Sequence, residues 1–157
     1  LDNTEAKLEP YKDKLQNGTY TTHQILTLAS IVELEAVSDS DRATVAGVLY
    51  NRLNDNWSLG CDATTYYAAK KSMTESLTQS DLTACNGYNT RCTSMTGLPV
   101  GPIDNPSISS IEAALNPTES DYYYFVADTD KKVYFTKNAT EHDRIIAQLR
   151  DEGKWAA

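Results

Sequence analysis

The chain has 157 residues, of which 40% are hydrophobic and 23% charged, as in a soluble globular domain large enough to bury its own core. Its formal net charge of −8 argues against a nucleic-acid partner, because phosphate binding needs a basic surface, and basic residues adjoin only at Lys70-Lys71 and Lys131-Lys132. The apolar runs are too short to predict a membrane span.

Three helices are predicted in the first third of the chain. Residues 4–16 form a polar amphipathic pattern that ends at the Asn17-Gly18 turn. A second helix is predicted over about Thr22–Val37, with Thr22 as its cap and an apolar stripe along one face. A third is capped within Ser38–Asp41 and reaches about Asn54.

The remainder predicts an α+β domain dominated by helix. Residues 55–106 are rich in Thr, Ser, Asn and Gly, as in loops that wall a functional site, with short helices near 62–70 and 80–84. The last third is predicted to contain a helix, an antiparallel hairpin and a closing helix, at residues 107–115, 122–127 with 132–136, and 141–150. We predict one domain over residues 22–152, preceded by a linker or leading helix over 1–21 and followed by a tail over 153–157.

Three cysteines do not predict a metal centre. Cys61, Cys85 and Cys92 lack the spacing of zinc ligands, and the chain has only two histidines. No metal and no cofactor are therefore expected. Cys85 and Cys92 flank a turn-rich stretch that could close as a disulfide loop in an oxidising compartment, or all three cysteines could be buried thiols.

One carboxyl group interrupts the apolar stripe of the second helix. Ile25, Leu28, Val32 and Glu35 are spaced three, four and three residues apart, so Glu35 occupies a slot where leucine is expected. Glu33 is rotated about 200° from Glu35, so only one of the two should face inward.

The surroundings of Glu35 allow two interpretations. A carboxyl group among apolar side chains has a raised pKa and can remain protonated near neutral pH, as a general acid requires. Alternatively, Glu35 forms a buried ion pair with Arg42 or Arg52, which periodicity alone favours.

Five ordered segments resemble the catalytic domain of the endolytic murein transglycosylase family, also called MltG or YceG-like. They contain an "E-x-E" pair, an "L-x-x-D-x-T-x-x-Y" segment, "Y-N-T", a "G-L-P" turn and an aromatic strand followed by an ending with histidine. They lie at Leu28–Glu35 with Tyr50–Leu53, Leu59–Tyr67, Tyr88–Thr90 with Thr96–Ile103, Asp121–Asp128 and Tyr134–His142. The resemblance covers about residues 22–150. Val100 and the cysteines depart from the pattern.

The resemblance implies a lysozyme-like cleft around a catalytic helix, with Glu35 as the general acid and base. It implies cleavage of the β-1,4 bond between N-acetylmuramic acid and N-acetylglucosamine, with formation of a 1,6-anhydromuramic end. Asp62, Thr64, Asn89 and Thr90 are expected in the cleft wall, where they could bind the acetamido groups of the sugars. An equally strong interpretation of Asp62 is a cap for a helix that begins at Ala63. His142 is expected to be structural rather than catalytic.

The resemblance also implies a cellular setting. Peptidoglycan strands are the expected partner, with the cell-wall synthesis machinery as a further candidate. The chain resembles an excised fragment, so we expect a longer parent with a single membrane anchor and this domain on the extracytoplasmic face. The alternatives are a non-catalytic glycan-binding module on the same fold, with Glu35 in an ion pair, and an extracellular interaction domain.

Overall fold

A computed structural model describes residues 2–155 of the chain. Leu1 of the predicted linker and residues 156–157 of the predicted tail lie outside the described residues. The helices are α1 (Asp2–Leu8), α2 (Lys12–Asn17), α3 (Thr22–Glu35), α4 (Asp39–Asn54), α5 (Asp62–Ala69), α6 (Gln79–Thr83), α7 (Ile108–Leu115) and α8 (Ala139–Asp151), with a 3-10 turn at Glu9–Tyr11 and the strands β1 (Tyr124–Ala127) and β2 (Val133–Thr136). The α+β prediction, mainly helical with one hairpin, is confirmed.

Helix α3 is the centre of the domain and packs against α4, α5 and α7. A capping box begins it, because the Gln24 N–H donates to Oγ1 of Thr21 at 3.2 Å while the Thr21 N–H donates back to the Gln24 side chain at 2.9 Å. The predicted cap, Thr22, is therefore wrong by one residue. Burial of Leu28, Ile31 and Val32 against α4 and α7 anchors the helix, at about 1.5–3 kcal/mol for each large apolar side chain.

The predicted helix over residues 4–16 is interrupted, so that prediction is wrong in detail. Pro10 lies in the 3-10 turn that separates α1 from α2, because proline has no N–H to continue the helical ladder. Leu8 and Leu15 nevertheless pack against the core, and the Tyr11 hydroxyl donates to the Glu112 carboxylate on α7. The predicted boundary at residue 22 stays a prediction.

The long middle segment is held by a disulfide bond. Cys85 and Cys92 are joined, which confirms the first of the two interpretations of these cysteines, and Cys61 is a buried free thiol. The bond closes a short loop between α6 and the turn at Gly97.

The hairpin and α8 form the other side of the domain. Strand β1 pairs antiparallel with β2, with Phe125 opposite Phe135, and α8 packs against both strands. The Lys154 N–H donates to the Leu149 carbonyl at 2.8 Å, and the Thr129 N–H donates to the Lys154 carbonyl at 3.0 Å. The described part of the predicted tail therefore packs on the hairpin turn. Across residues 2–155, no helix combines the length and apolar character needed to cross a membrane.

Candidate active site

A cleft of about 830 Å³ lies where α3 ends, between the first turn of α5 and the hairpin with α8. This volume is within the range of small-molecule sites. Glu35, the last residue of α3, lines the cleft together with residues from α4, α5, α6, β1 and α8, from the loops before α5 and after α6, and from the segment after α8. These include Arg52, Ser58, Cys61, Asp62, Leu82, Arg91, Tyr124, His142, Asp143 and Trp155.

Burial raises the pKa of Glu35 to about 7. The Ala63 N–H opposes this shift by donating to Oε1 of Glu35, at the long distance of 3.4 Å. The negative charge of Asp62 raises the pKa further, and the positive charge of Arg91 lowers it. A carboxyl group with this pKa is partly protonated near neutral pH and can both donate and accept a proton there.

The ion-pair interpretation of Glu35 is wrong. Arg42 instead contacts Glu33, with 3.8 Å between Nη2 and Oε1. Arg52 donates from Nε to the Tyr123 carbonyl at 2.6 Å and from Nη1 to the Leu59 carbonyl at 3.0 Å. Among the described residues, no cation lies within ion-pair distance of the Glu35 carboxylate.

Glu33 has a structural position away from the cleft. Its Oε2 accepts hydrogen bonds from the Ser107 N–H at 3.1 Å, the Ser107 hydroxyl at 2.7 Å and the Ser110 hydroxyl. Burial raises the pKa of Glu33, but the bonds from Ser110 and Ser107 outweigh it and leave the pKa below its ordinary value. The prediction that only one glutamate faces inward is wrong, since the Glu33 side chain is only 22% exposed. Glu33 packs against Ser107 and Ser110, whereas Glu35 faces the cleft.

Asp62 is the predicted wall residue that lines the cleft. It is the first residue of α5, and its carboxylate pairs with Nε of Arg91. The predicted alternative, a cap for α5, is wrong, because Cys61 occupies the cap position and the helix has no side-chain cap.

Thr64, Asn89 and Thr90 lie beneath the cleft, and the prediction that they line its wall is wrong. All three are 0% exposed. Asn89 donates to the carbonyls of the α6 end, at 2.7 Å for Ala84, while Thr64 and Thr90 bond to each other at 2.7 Å. Thr90 also accepts from the Cys61 N–H at 2.9 Å. The polar groups of Thr64 and Thr90 thus hold the start of α5 beside Glu35.

The hairpin side of the cleft contains residues that the sequence pattern did not single out as site residues. The Tyr124 ring lies between His142, at 5.1 Å between ring centres, and the Arg52 guanidinium, at 4.9 Å. Burial lowers the pKa of His142, and its Nδ1 is buried without a hydrogen-bond partner among the described residues. The alternation of β1 could have placed Tyr124 on one face of the hairpin, but nothing in the sequence indicated which face meets Glu35.

A larger concavity of about 1060 Å³ shares no lining residue with the Glu35 cleft. Its acidic side chains, Asp13 and Glu119, are exposed to solvent. The partly buried Glu35 carboxyl group, with its raised pKa, distinguishes the smaller cleft as the candidate active site.

One comparison shows to which protein family the chain belongs. A family model described as the YceG-like family matches residues 1–148. The chain belongs to the YceG-like family. This confirms the resemblance noted in the sequence, and the match includes the segment predicted as a linker.

Two relatives of this YceG-like chain are named endolytic murein transglycosylase. The protein from Bacillus subtilis (strain 168) is 40% identical over 144 residues, which cover 92% of this chain and 39% of the relative. The protein from Streptococcus pneumoniae serotype 2 (strain D39 / NCTC 7466) is 38% identical over 150 residues, or 92% of this chain and 27% of the relative. The chain therefore spans well under half the length of these relatives.

A solved structure has the same fold. The crystal structure of a YceG-like protein from Listeria monocytogenes matches this chain with a TM-score of 0.85 and 41% sequence identity, over 92% of this chain and 46% of that one.

Proposed function

We propose that this domain is an endolytic peptidoglycan lytic transglycosylase in which Glu35 is both the general acid and the general base. The observation that carries the proposal is the carboxyl group of Glu35, which lies in a cleft with its pKa raised to about 7 and without an ion-pair partner among the described residues. The names of the two relatives support peptidoglycan as the substrate.

The proposed reaction begins with protonation. Glu35 donates its proton to the oxygen of the β-1,4 bond between N-acetylmuramic acid and N-acetylglucosamine. The bond between that oxygen and the muramic C1 breaks, the N-acetylglucosamine leaves with a free 4-hydroxyl group, and C1 acquires oxocarbenium character. The Glu35 carboxylate is now a base.

The second half of the reaction uses the substrate's own nucleophile. The 6-hydroxyl oxygen of the same muramic residue bonds to C1, and its proton passes to Glu35. The product is a 1,6-anhydromuramic end, water is not consumed, and Glu35 returns to its protonated form. A pKa near 7 suits both steps, because neither form of the group is strongly favoured at neutral pH.

A single carboxyl group is sufficient for this route, whereas glycoside hydrolases of the usual kind need two. The other cleft acids are poor candidates for a second role. Asp62 is engaged by Arg91, and Asp143 is an exposed residue of α8. This favours internal attack by the substrate over activation of water.

The disulfide supports an extracytoplasmic location. The bond between Cys85 and Cys92 persists in oxidising compartments and is rare in the cytosol. The predicted membrane anchor of a longer parent and the contact with cell-wall synthesis machinery stay predictions.

Mass spectrometry of purified peptidoglycan digested in ¹⁸O-labelled water tests the reaction class. We expect new muramic ends that are lighter than reducing ends by one water and carry no ¹⁸O. Labelled reducing ends would show hydrolysis and contradict the proposal. Strand binding without cleavage would instead favour the glycan-binding module.

A further inference from the structure

Arg91 presents unused hydrogen-bond donors to the cleft. Its side chain lines the cleft and is 43% exposed. Within residues 2–155, its guanidinium makes one hydrogen bond, from Nε to Asp62. An arginine has five N–H donors, so the two terminal nitrogens retain four, in the planar fork that binds a carboxylate through two parallel bonds.

Buried contacts hold the backbone on both sides of Arg91. Asn89 is fully buried and donates to the Ala84 carbonyl at 2.7 Å, while the Thr90 N–H donates to the Thr64 hydroxyl at 3.1 Å. Cys92, the next residue, is 2% exposed and bonded to Cys85. Asp62 orients the side chain itself. A ligand that binds the terminal nitrogens therefore meets a donor group that is already positioned.

The other arginine of the cleft has less to offer a ligand. Arg52 uses Nε and Nη1 for the carbonyls of Tyr123, Ser58 and Leu59, and the Tyr124 ring covers its guanidinium at 4.9 Å. The net charge of the chain is −8, so an anionic substrate gains little from the protein as a whole. Arg91 is the better placed of the two cations for an anion in the cleft.

We propose that Arg91 binds the lactyl carboxylate of the muramic residue and makes this domain selective for strands in which that carboxylate is free. This inference rests on the proposed function for its substrate. N-acetylmuramic acid carries a lactyl ether on O3, which ends in a carboxylate when no stem peptide is attached and in a neutral amide when one is. Two parallel charge-assisted bonds from Arg91 would form with the first and be lost with the second.

The same chemistry could come from carboxylates of the stem peptide, so the test separates the two sources. Four glycan samples are needed. They are peptide-free strands, peptide-free strands with lactyl carboxylates converted to methylamides, peptide-bearing strands, and peptide-bearing strands with their peptide carboxylates converted to methylamides.

The experiment measures Kd by calorimetry in the Glu35→Gln background and turnover in the active domain. We expect methylamidation of peptide-free strands to weaken binding about tenfold, and Arg91→Gln to remove that difference. Arg91→Lys should retain part of it, because lysine keeps the charge without the fork. Arg144→Gln is the matched control, since Arg144 is an exposed residue of α8 outside the cleft lining.

Three outcomes would overturn the inference. Equal affinity for the peptide-free and the methylamidated peptide-free strands would show that Arg91 does not bind the lactyl carboxylate. A preference confined to peptide-bearing strands with free carboxylates would reassign Arg91 to the stem peptide. Arg91→Gln could also shift the pH profile of turnover while the ratio of turnover on peptide-free to methylamidated strands, measured at each variant's optimal pH, stays that of the wild type. Arg91 would then act only through its charge on Glu35. Carboxylate-dependent binding without turnover would contradict the proposed function and leave this inference standing.

Discussion

The backbone N–H of Ala63 donates to Oε1 of Glu35 at 3.4 Å, so the first turn of α5 contacts the carboxyl group that ends α3. This one long bond does little to solvate a carboxylate. Burial therefore dominates the pKa of Glu35 and keeps its neutral form populated close to pH 7.

Glu35→Gln should stabilise the protein at pH 8 and change its stability little at pH 4. The pKa of Glu35 rises from 4.5 to about 7 on folding, so between these values the folded state binds more protons than the unfolded state. Stability therefore falls as pH rises through this window, by up to about 3 kcal/mol, and glutamine cannot lose a proton. Urea denaturation at the two pH values measures the difference. A variant less stable than the wild type at pH 8 would contradict this account.

The pH dependence of kcat/KM should show a decline on the alkaline side centred near pH 7. Glu35 must be protonated in the free enzyme to begin the reaction, and its pKa is about 7. Asp62→Asn should move the decline to lower pH, because the Asp62 charge raises this pKa, and Arg91→Gln should move it to higher pH. Rate profiles of the three proteins test the pair of opposite shifts. Shifts in the same direction would mean that these charges do not act through Glu35.

Glu33→Gln should destabilise the protein while leaving the cleft chemistry in place. Glu33 accepts bonds from Ser107 and Ser110 and contacts Arg42, so its replacement costs about 1–3 kcal/mol. Its lowered pKa means that this contribution is present above its unfolded pKa near 4.5 and is lost as pH falls through the folded pKa. Urea denaturation at pH 7 and at pH 3 measures the loss of stability and its pH dependence. Activity assayed below the temperature at which the variant unfolds measures the cleft chemistry. An inactive but fully stable Glu33→Gln protein would assign the wrong glutamate to catalysis.

Asn89→Ala should unfold the loop between α6 and Gly97 rather than weaken sugar binding directly. Its loss leaves the partly buried carbonyls of Asp81, Leu82 and Ala84 without their side-chain donor, at about 2–4 kcal/mol in total. Asn105→Ala, an exposed asparagine, is the matched control. Thermal unfolding and KM at low temperature separate the effects. Unchanged stability with a raised KM would restore the predicted wall role.

The position of Glu35 could be predicted from the sequence because helical periodicity is a local property. Ile25, Leu28 and Val32 define a face, and a carboxylate in its next slot is visible without knowledge of the rest of the fold. The hairpin was predictable for the same reason, since its strands are separated by one short turn.

The loop residues could not be predicted, because polar side chains are compatible with both a wet wall and a satisfied interior. Asn89 and Thr90 are polar residues in a turn-rich stretch, yet their partners lie on α6 and before α5, which the spacing does not reveal. Arg91 could not be assigned for a similar reason, since its contact with Asp62 joins residues 29 positions apart. The break at Pro10 was predictable and was missed, because a proline inside a helical pattern ends or shifts the helix.

The most direct test of the central claim compares wild type, Glu35→Gln and Glu33→Gln on the same peptidoglycan by mass spectrometry of the released fragments. The account predicts anhydromuramic products from the wild type and from Glu33→Gln. It predicts a loss of about 10²–10⁴-fold in Glu35→Gln, the usual contribution of a general acid and base. Anhydromuramic products from Glu35→Gln at the wild-type rate would contradict the claim that Glu35 carries out the chemistry.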